Sequence, residues 1–170
     1  MPDVCITFAS NYQTDNNMRT ILTTLLLLIC GAAMAQNADK LYEEGKALYD
    51  AKKYVQAIPK LRAAAEQGHK KAQYRLGRCY DKGRGVKEDN TTAYQWYLKS
   101  ANQDYAKAQY QLGRCYLKGK GTTADAAKAK TWLKKAVKNP KKGDEVLQEL
   151  KDDAAKGDEE AKRILTIIGK

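Results

Sequence analysis

The chain repeats itself at an offset of 36 residues, and this repetition restricts the folds open to it. The strings AQY and LGRCY of residues 72–80 return at residues 108–116. Between Ala72 and Ala101, 15 of 30 positions carry the same residue 36 positions later. Repeats of this length are typical of arrays in which each unit packs on its neighbours. The sequence therefore predicts an all-α fold, an α-solenoid of helix-turn-helix repeats.

Helical spacing marks the first half of each unit. Ala72, Leu76 and Tyr80 are four residues apart, so they form one apolar face of a helix. Gly83 and Gly119 follow this stretch in the two units. Because glycine accepts the left-handed backbone conformation found at many helix ends, we expect the first helix of each unit to end there.

A second helix follows in each unit after a short loop. Gly85 and Gly121 allow a further tight bend, and Asp89 can cap the next helix by accepting hydrogen bonds from its exposed N–H groups. Trp96 and Trp132 occupy equivalent positions on that helix. We interpret the loop glycines and both tryptophans as structural residues.

Glycine also stands in the middle of the first helix, at Gly45, Gly77 and Gly113. There it costs about 0.5–1 kcal/mol relative to alanine. Its recurrence despite this cost indicates that two helices cross too closely to admit a side chain. Ala93 and Ala129 are the expected small partners across that crossing.

These residues resemble the Sel-1-like repeat, a relative of the tetratricopeptide repeat. The shared pattern is A-x-x-x-L-G-x-x-Y-x-x-G-x-G followed by D-x-x-x-A-x-x-W-x-x-K, and it covers residues 72–107 and 108–140. Thr122 and Val137 depart from the family's preferences. The resemblance implies a superhelical stack of helix pairs that acts as a protein- or peptide-binding adaptor.

The flanking segments extend the repeat in both directions. Residues 36–71 resemble a tetratricopeptide unit, and residues 141–170 are predicted to form C-terminal capping helices that shield the stack. Gly45 precedes Gly77 by 32 residues, whereas Gly77 precedes Gly113 by 36. We assign the four missing residues to the loop between the paired helices of the first unit.

Export is predicted from residues 18–35, which have the order of a secretory signal peptide. A charge at Arg19 precedes an apolar stretch and an A-x-A triplet that ends at Ala35, after which we expect cleavage. Residues 1–17 are interpreted as an upstream extension outside the mature protein. Loss of residues 1–35 raises the net charge from +11 to about +12, which favours anionic partners. We expect a periplasmic or secreted protein with no stable membrane span after cleavage.

No catalytic, cofactor or metal site is predicted, so we do not expect an enzyme. His69 is the one histidine of the sequence, and we expect it to face solvent in a turn between helices. The glycine pairs of the loops lack the Gly-Lys-Ser/Thr of a phosphate-binding loop. Cys79 and Cys115 stand at equivalent positions in separate units, and we expect free, partly buried thiols.

A ladder of tyrosines and basic residues is the candidate binding site. A tyrosine stands three residues before each mid-helix glycine and a base directly after it, so both project from one helix face. The pairs are Tyr42 and Lys46, Tyr74 and Arg78, and Tyr110 and Arg114. First helices line a concave groove in tetratricopeptide-like stacks, so we hypothesise a basic and aromatic groove for an extended acidic peptide. Alternatively, the tyrosines pack between repeats and the bases stabilise helix surfaces.

Two other functions stay open at this point. Secreted relatives in the resembled family have been discussed as cell-wall-active or β-lactam-binding proteins, although no Ser-x-x-Lys motif supports that chemistry here. The positive charge would also suit an anionic cell-envelope polymer. Specific nucleic-acid binding is not expected, because the lysines are spread along the chain instead of forming a block.

Overall fold

The computed structural model describes residues 21–22 and 37–169. Backbone contacts divide the chain into Met1–Asn37 and Ala38–Lys170, and the second unit is described over nearly its whole length. Within the first unit, residues 21–22 are helical. The predicted extension of residues 1–17, and the predicted signal peptide apart from residues 21–22, lie outside the described residues.

Eight helices and no strand lie between residues 37 and 169, which confirms the all-α prediction. Helix α1 occupies residues 37–50. The others are α2 (Tyr54–Glu66), α3 (Lys70–Lys82), α4 (Asn90–Ala101), α5 (Ala106–Lys118), α6 (Ala126–Val137), α7 (Gly143–Ala155) and α8 (Glu159–Ile168). No helix of the described part is long and apolar enough to cross a lipid bilayer.

The helices pack in chain order, as a solenoid requires. Helix α2 lies against α3, α3 against α4, α4 against α5 and α5 against α6. Ala72, Leu76 and Leu112 are fully buried between these helices, and Tyr80 packs at the edge of the same core. The predicted apolar face of the first helix is therefore the face that joins neighbouring repeats.

Loop lengths between paired helices differ as predicted. The α1–α2 loop spans residues 51–53, whereas the α3–α4 and α5–α6 loops span residues 83–89 and 119–125. The shorter loop of the first unit thus accounts for its four missing residues, because the helices themselves keep nearly the same length.

The predicted helix ends are also confirmed. Gly83 and Gly119 have φ angles of 60° and 67°, and the N–H of each donates to the carbonyl four residues earlier. The Asp89 carboxylate accepts hydrogen bonds from the N–H groups of Thr91 and Thr92 at 3.0 and 3.1 Å. These local interactions end α3 and α5 and begin α4.

The mid-helix glycines lie at close crossings. A Cβ atom on Gly77 would stand 2.8 Å from the ring of Tyr97 and 3.3 Å from the carbonyl oxygen of Ala93. A Cβ on Gly113 would stand 2.7 Å from Leu133. The crossings were predicted correctly, but the side chains packed on these glycines are large. Of the small residues expected there, Ala93 does approach Gly77 through its carbonyl oxygen, whereas the atoms nearest to Gly113 belong to Leu133 and not to Ala129.

Helices α7 and α8 close the C-terminal end of the stack. Helix α7 contacts α5 and α6, while α8 contacts α6 and α7. Val146 and Leu150 of α7 are buried, together with Ile164 and Ile168 of α8. Val146 and Leu150 therefore lie on the apolar stripe that α7 turns toward the core.

Candidate functional site

The first helices of the repeats, α1, α3 and α5, together line a cavity of about 260 Å³. Four of its residues are cations and three are tyrosines, and no carboxylate among the described residues lines it. The lining residues are Tyr49, Tyr74, Arg75, Arg78, Arg84, Tyr105 and Lys107. We call this the basic–aromatic cavity.

Arg84 reaches this cavity because of the left-handed turn at Gly83. The chain folds back after α3, and the N–H of Arg84 donates to the Cys79 carbonyl at 2.8 Å. Its guanidinium then donates to the Tyr49 hydroxyl at 2.6 Å and lies 5.7 Å from that ring's centroid. A helix-ending glycine therefore places a cation over an aromatic residue of the preceding repeat.

Arg78 lies on α3, and not all of the hydrogen-bond donors of its guanidinium have a partner in the described part of the chain. Its Nη1 donates to the Tyr74 hydroxyl at 3.1 Å, while its Nε is buried without a hydrogen-bond partner among the described residues. No described carboxylate lies within 4.0 Å of the charged nitrogens of Arg78 or Arg84. Because a guanidinium stays charged at physiological pH, both side chains are cations without a counter-ion among the described residues.

The other cations differ in how far the fold neutralises them. Arg75 donates to Asp50 at 3.0 Å, and its Nε lies 3.5 Å from the Tyr42 hydroxyl. Lys107 forms no ion pair with a described residue. The uncompensated charge of the cavity therefore rests mainly on Arg78, Arg84 and Lys107.

A second cavity, of about 270 Å³, continues from the first toward the C-terminus. The two share Tyr74, Arg78 and Lys107, so they lie side by side, and we call the pair the channel. The second, which we call the mixed-charge cavity, lies between α3, α5, α7 and α8. Its five acidic lining residues are Asp81, Glu149, Asp153, Asp158 and Glu160. The basic–aromatic cavity is thus cationic, whereas the mixed-charge cavity is lined by five acidic and four basic residues.

Arg114 in the mixed-charge cavity already holds a carboxylate. Its Nε and Nη2 donate to the two oxygens of Glu160 at 2.7 and 2.8 Å, and Lys118 donates to the same group at 2.5 Å. Burial acts to raise the pKa of Glu160, but these hydrogen bonds outweigh burial and hold the pKa below its usual range. Arg114 therefore ties α5 to the C-terminal cap.

The structure divides the predicted ladder into two parts. Tyr74, Arg78, Tyr110 and Arg114 line the mixed-charge cavity, and the Arg114 guanidinium lies 5.8 Å from the Tyr110 ring centroid. Burial of the Tyr110 side chain raises its pKa to about 12, so this hydroxyl stays protonated.

The first rung of the ladder, Tyr42 and Lys46, lines neither of these cavities. Tyr42 is 5% exposed and stacks on His69 at 4.2 Å between ring centroids. Lys46 pairs instead with Glu43 at 3.4 Å. For this rung the geometry matches the alternative of packing between repeats.

The sequence analysis did not predict several residues of the basic–aromatic cavity. One of them, Tyr105, could have been identified from its position in the repeat. Tyr105 lies 36 residues after His69, at the equivalent position of the next unit. Each of these rings packs on a tyrosine of the first helix that precedes it, His69 on Tyr42 of α1 and Tyr105 on Tyr74 of α3. Comparing the repeat positions of aromatic residues would have identified Tyr105.

His69 does not face solvent as predicted, since its side chain is only 13% exposed. The turn between α2 and α3 makes it the cap of α3, where Nδ1 accepts a hydrogen bond from the Ala72 N–H at 3.1 Å. Stacking on Tyr42 covers the ring, and Nε2 lies 3.2 Å from Asp39. Burial lowers the pKa of His69, which favours the neutral form that can accept from the backbone.

Cys79 and Cys115 are free and buried, which confirms the expectation for the thiols. Burial raises the pKa of each to about 11, so neither is a thiolate at neutral pH. The described residues contain no group of three histidine, cysteine or acidic side chains arranged to hold a metal ion.

Trp96 and Trp132 pack at the edges of successive parts of the core. Lys99 and Lys135, each three residues later, lie over these rings at 4.4 and 4.8 Å from the centroids. Gly85 and Gly121 have φ angles of 73° and 71° and lie against the backbone of the preceding unit.

Known proteins show the same architecture. The profile of the Sel1 repeat matches residues 70–105 and 106–140. The crystal structure of a Sel1 repeat protein from Oxalobacter formigenes is similar to this chain, with 44% sequence identity and a TM-score of 0.54. The match covers 56% of this chain and 40% of the Oxalobacter protein. A protective antigen present in uropathogenic Escherichia coli strains, which displays an SLR fold, is 27% identical with a TM-score of 0.59.

The match to the Escherichia coli antigen covers 78% of this chain but 30% of the antigen, so the chain spans less than half the length of either structure. No curated protein matches the sequence. Helix pairs, glycine-ended first helices and two profile matches all identify the same repeat. The chain therefore contains two Sel1 repeats, a helical-repeat fold that is commonly a protein-interaction scaffold and typically non-catalytic.

Proposed function

We propose that this chain is an exported, non-catalytic adaptor that binds an acidic segment of a partner protein in the basic–aromatic cavity. The observation that carries this proposal is the pair of arginines, Arg78 and Arg84, which have no carboxylate partner in the described part of the chain and lie beside partly exposed Tyr49 and Tyr74. Two guanidinium groups without counter-ions attract carboxylates, and tyrosine rings provide apolar contact for the rest of a peptide.

Glu160 supports this assignment from within the same channel. Its carboxylate binds Arg114 through two parallel hydrogen bonds, which is the geometry that a glutamate of a partner would adopt. Arg114 and Arg78 occupy equivalent positions of successive repeats. The cap therefore supplies a carboxylate to one arginine, while the equivalent arginine remains open for a carboxylate from another molecule.

Charge along the channel also favours one placement of the partner. The mixed-charge cavity contains Glu149, which is exposed and forms no ion pair with a described residue. A second acidic stretch placed there would be repelled, whereas neutral or basic residues would be accepted. We therefore place the acidic part of the partner against α1, α3 and the start of α5.

Export rests on the sequence of residues 18–35. Fractionation of bacteria that express the full chain, followed by N-terminal sequencing, tests it. We expect mature protein beginning at Gln36 outside the cytoplasm. Uncleaved protein confined to the cytoplasm would contradict export and leave the binding proposal standing.

Nuclear magnetic resonance tests the site directly with a defined probe. Acetylated hexaglutamate is titrated into the protein, and acetylated hexaglutamine serves as the uncharged control. We expect the side-chain Nε–H resonances of Arg78 and Arg84 to shift with hexaglutamate alone. Shifts restricted to lysines elsewhere on the surface, or equal shifts with both peptides, would contradict the proposed site.

A further inference from the structure

A separate groove of about 650 Å³ lies where the α4–α5 loop meets the end of α6 and the α6–α7 loop. It shares no lining residue with the basic–aromatic or mixed-charge cavity. Its five basic residues are Lys70, Lys134, Lys135, Lys138 and Lys141, and its one acidic residue is Asp104. We call it the lysine groove.

The floor of the lysine groove is fixed by buried amides. Asn139 is 8% exposed, and its Nδ2 donates to the Asp104 carbonyl oxygen at 2.9 Å and to Gln109 Oε1 at 3.3 Å. Gln109, 1% exposed, donates in turn to the Asp104 carboxylate at 3.2 Å. The single carboxylate of the groove is thus bound by its floor, and the lysines stand around a rigid surface.

The lysines of this groove have no acidic partner among the residues that the structure describes. No described carboxylate lies within 4.0 Å of Lys134, Lys135, Lys138 or Lys141. Lysines elsewhere are often paired, as with Lys118 and Glu160. The positive charge of the groove is therefore not neutralised by ion pairs with described residues.

Helix electrostatics account for only part of this clustering. Lys134 and Lys135 lie in the last turn of α6, where a cation is favourable. Lys70 begins α3, where the helix dipole disfavours a cation, and Lys141 lies in a loop. A ligand that carries negative charge explains why all of these positions are basic.

We propose that the lysine groove binds a flexible polymer with regularly spaced anionic groups, at a site independent of the acidic-segment site. Lysine ammonium groups are compact charges on flexible stems, so they follow a mobile chain of anions without fixing one geometry. The open groove and the spread of its charges over three segments suit such a chain. A compact carboxylate fits the arginines of the basic–aromatic cavity better.

The test measures binding of inorganic polyphosphate and of polygalacturonate, which distinguish phosphate from carboxylate polymers. The variant is Lys134→Gln with Lys138→Gln. The matched control is Lys87→Gln with Lys151→Gln, which removes the same charge from two exposed lysines outside the groove. Arg84→Gln separates this site from the basic–aromatic cavity, and circular dichroism confirms that each variant is helical.

We expect the groove variant to bind at least one polymer about tenfold more weakly, with the salt dependence of log K reduced by roughly two. The control should change affinity less than about twofold, and Arg84→Gln should leave polymer binding intact. Binding of only one polymer would identify the anion and support the proposal. Equal losses in both lysine variants, or no binding of either polymer, would overturn it without affecting the hexaglutamate result.

Discussion

The guanidinium of Arg114 donates two hydrogen bonds to the carboxylate of Glu160, at 2.7 and 2.8 Å. The two residues are 46 positions apart, and their contact joins the last Sel1 repeat to the final helix. Both side chains are partly shielded, with exposures of 32% and 21%. The C-terminal helices are therefore held to the repeats by a charged contact as well as by their apolar face.

Replacing Glu160 by glutamine should destabilise the protein. The variant loses a charged partner for Arg114, and we expect a loss of about 1–2 kcal/mol because partial exposure weakens the pair. Urea denaturation measures the change, with Glu159→Gln on the same helix as control, since Glu159 is 82% exposed. Equal stabilities for the two variants would contradict a structural role for the Arg114 contact.

The same carboxylate should impose an acid limit on stability. The folded pKa of Glu160 lies below its ordinary value of 4.5, so the unfolded chain binds the proton first as pH falls. Stability from this group is complete above pH 4.5 and is lost as pH falls through the folded pKa. Glu160→Gln should flatten this part of the stability–pH curve, and an unchanged slope would argue against the ion pair.

A methyl group at Gly77 should strain the crossing of α3 and α4. The Cβ of Gly77→Ala would lie 2.8 Å from the ring of Tyr97, which is 1% exposed. We expect a loss of about 1–3 kcal/mol by overpacking. Gln95→Ala, on the exposed face of α4, is the control and should be nearly neutral. Thermal denaturation compares the two, and matching melting temperatures would rule out the tight crossing.

His69 should make stability depend on pH above the range of the carboxylates. Its pKa is lowered in the folded state, chiefly by burial, so the unfolded chain protonates first near pH 6.5. Stability is therefore highest above pH 6.5 and decreases as pH falls through the folded pKa. His69→Asn keeps a cap for α3 but does not titrate. Loss of the pH effect in this variant is expected, and its persistence would assign the effect to another group.

Cys79 and Cys115 should resist alkylation in the folded protein. Burial raises both pKa values to about 11, and little thiolate is present at neutral pH. Peptide mapping after iodoacetamide treatment should find both residues unmodified without denaturant and modified in guanidinium chloride. Rapid labelling of either residue in the folded state would contradict its burial.

Local signals explain which features could be predicted from the sequence. Gly83 and Asp89 act on their own helix ends, so residue type and position predict their roles. The contact of Arg84 with Tyr49 spans 35 residues and depends on how the α3–α4 loop lies on the first repeat. Glu160 lies beyond the repeat, where no periodic pattern links it to Arg114. Long-range packing, and not repeat position, therefore determines which basic residues remain open.

The affinity of acetylated hexaglutamate for matched charge-removal variants tests the central claim most directly. Arg78→Gln and Arg84→Gln each remove one charge from the basic–aromatic cavity, whereas Lys87→Gln and Lys151→Gln each remove one charge elsewhere. Circular dichroism verifies folding, and the two arginine variants provide independent tests if one is destabilised. We expect each arginine variant to bind about tenfold more weakly and each lysine variant less than about twofold more weakly. Equal weakening by all four substitutions would show that net charge alone attracts the peptide and would contradict the proposed binding site.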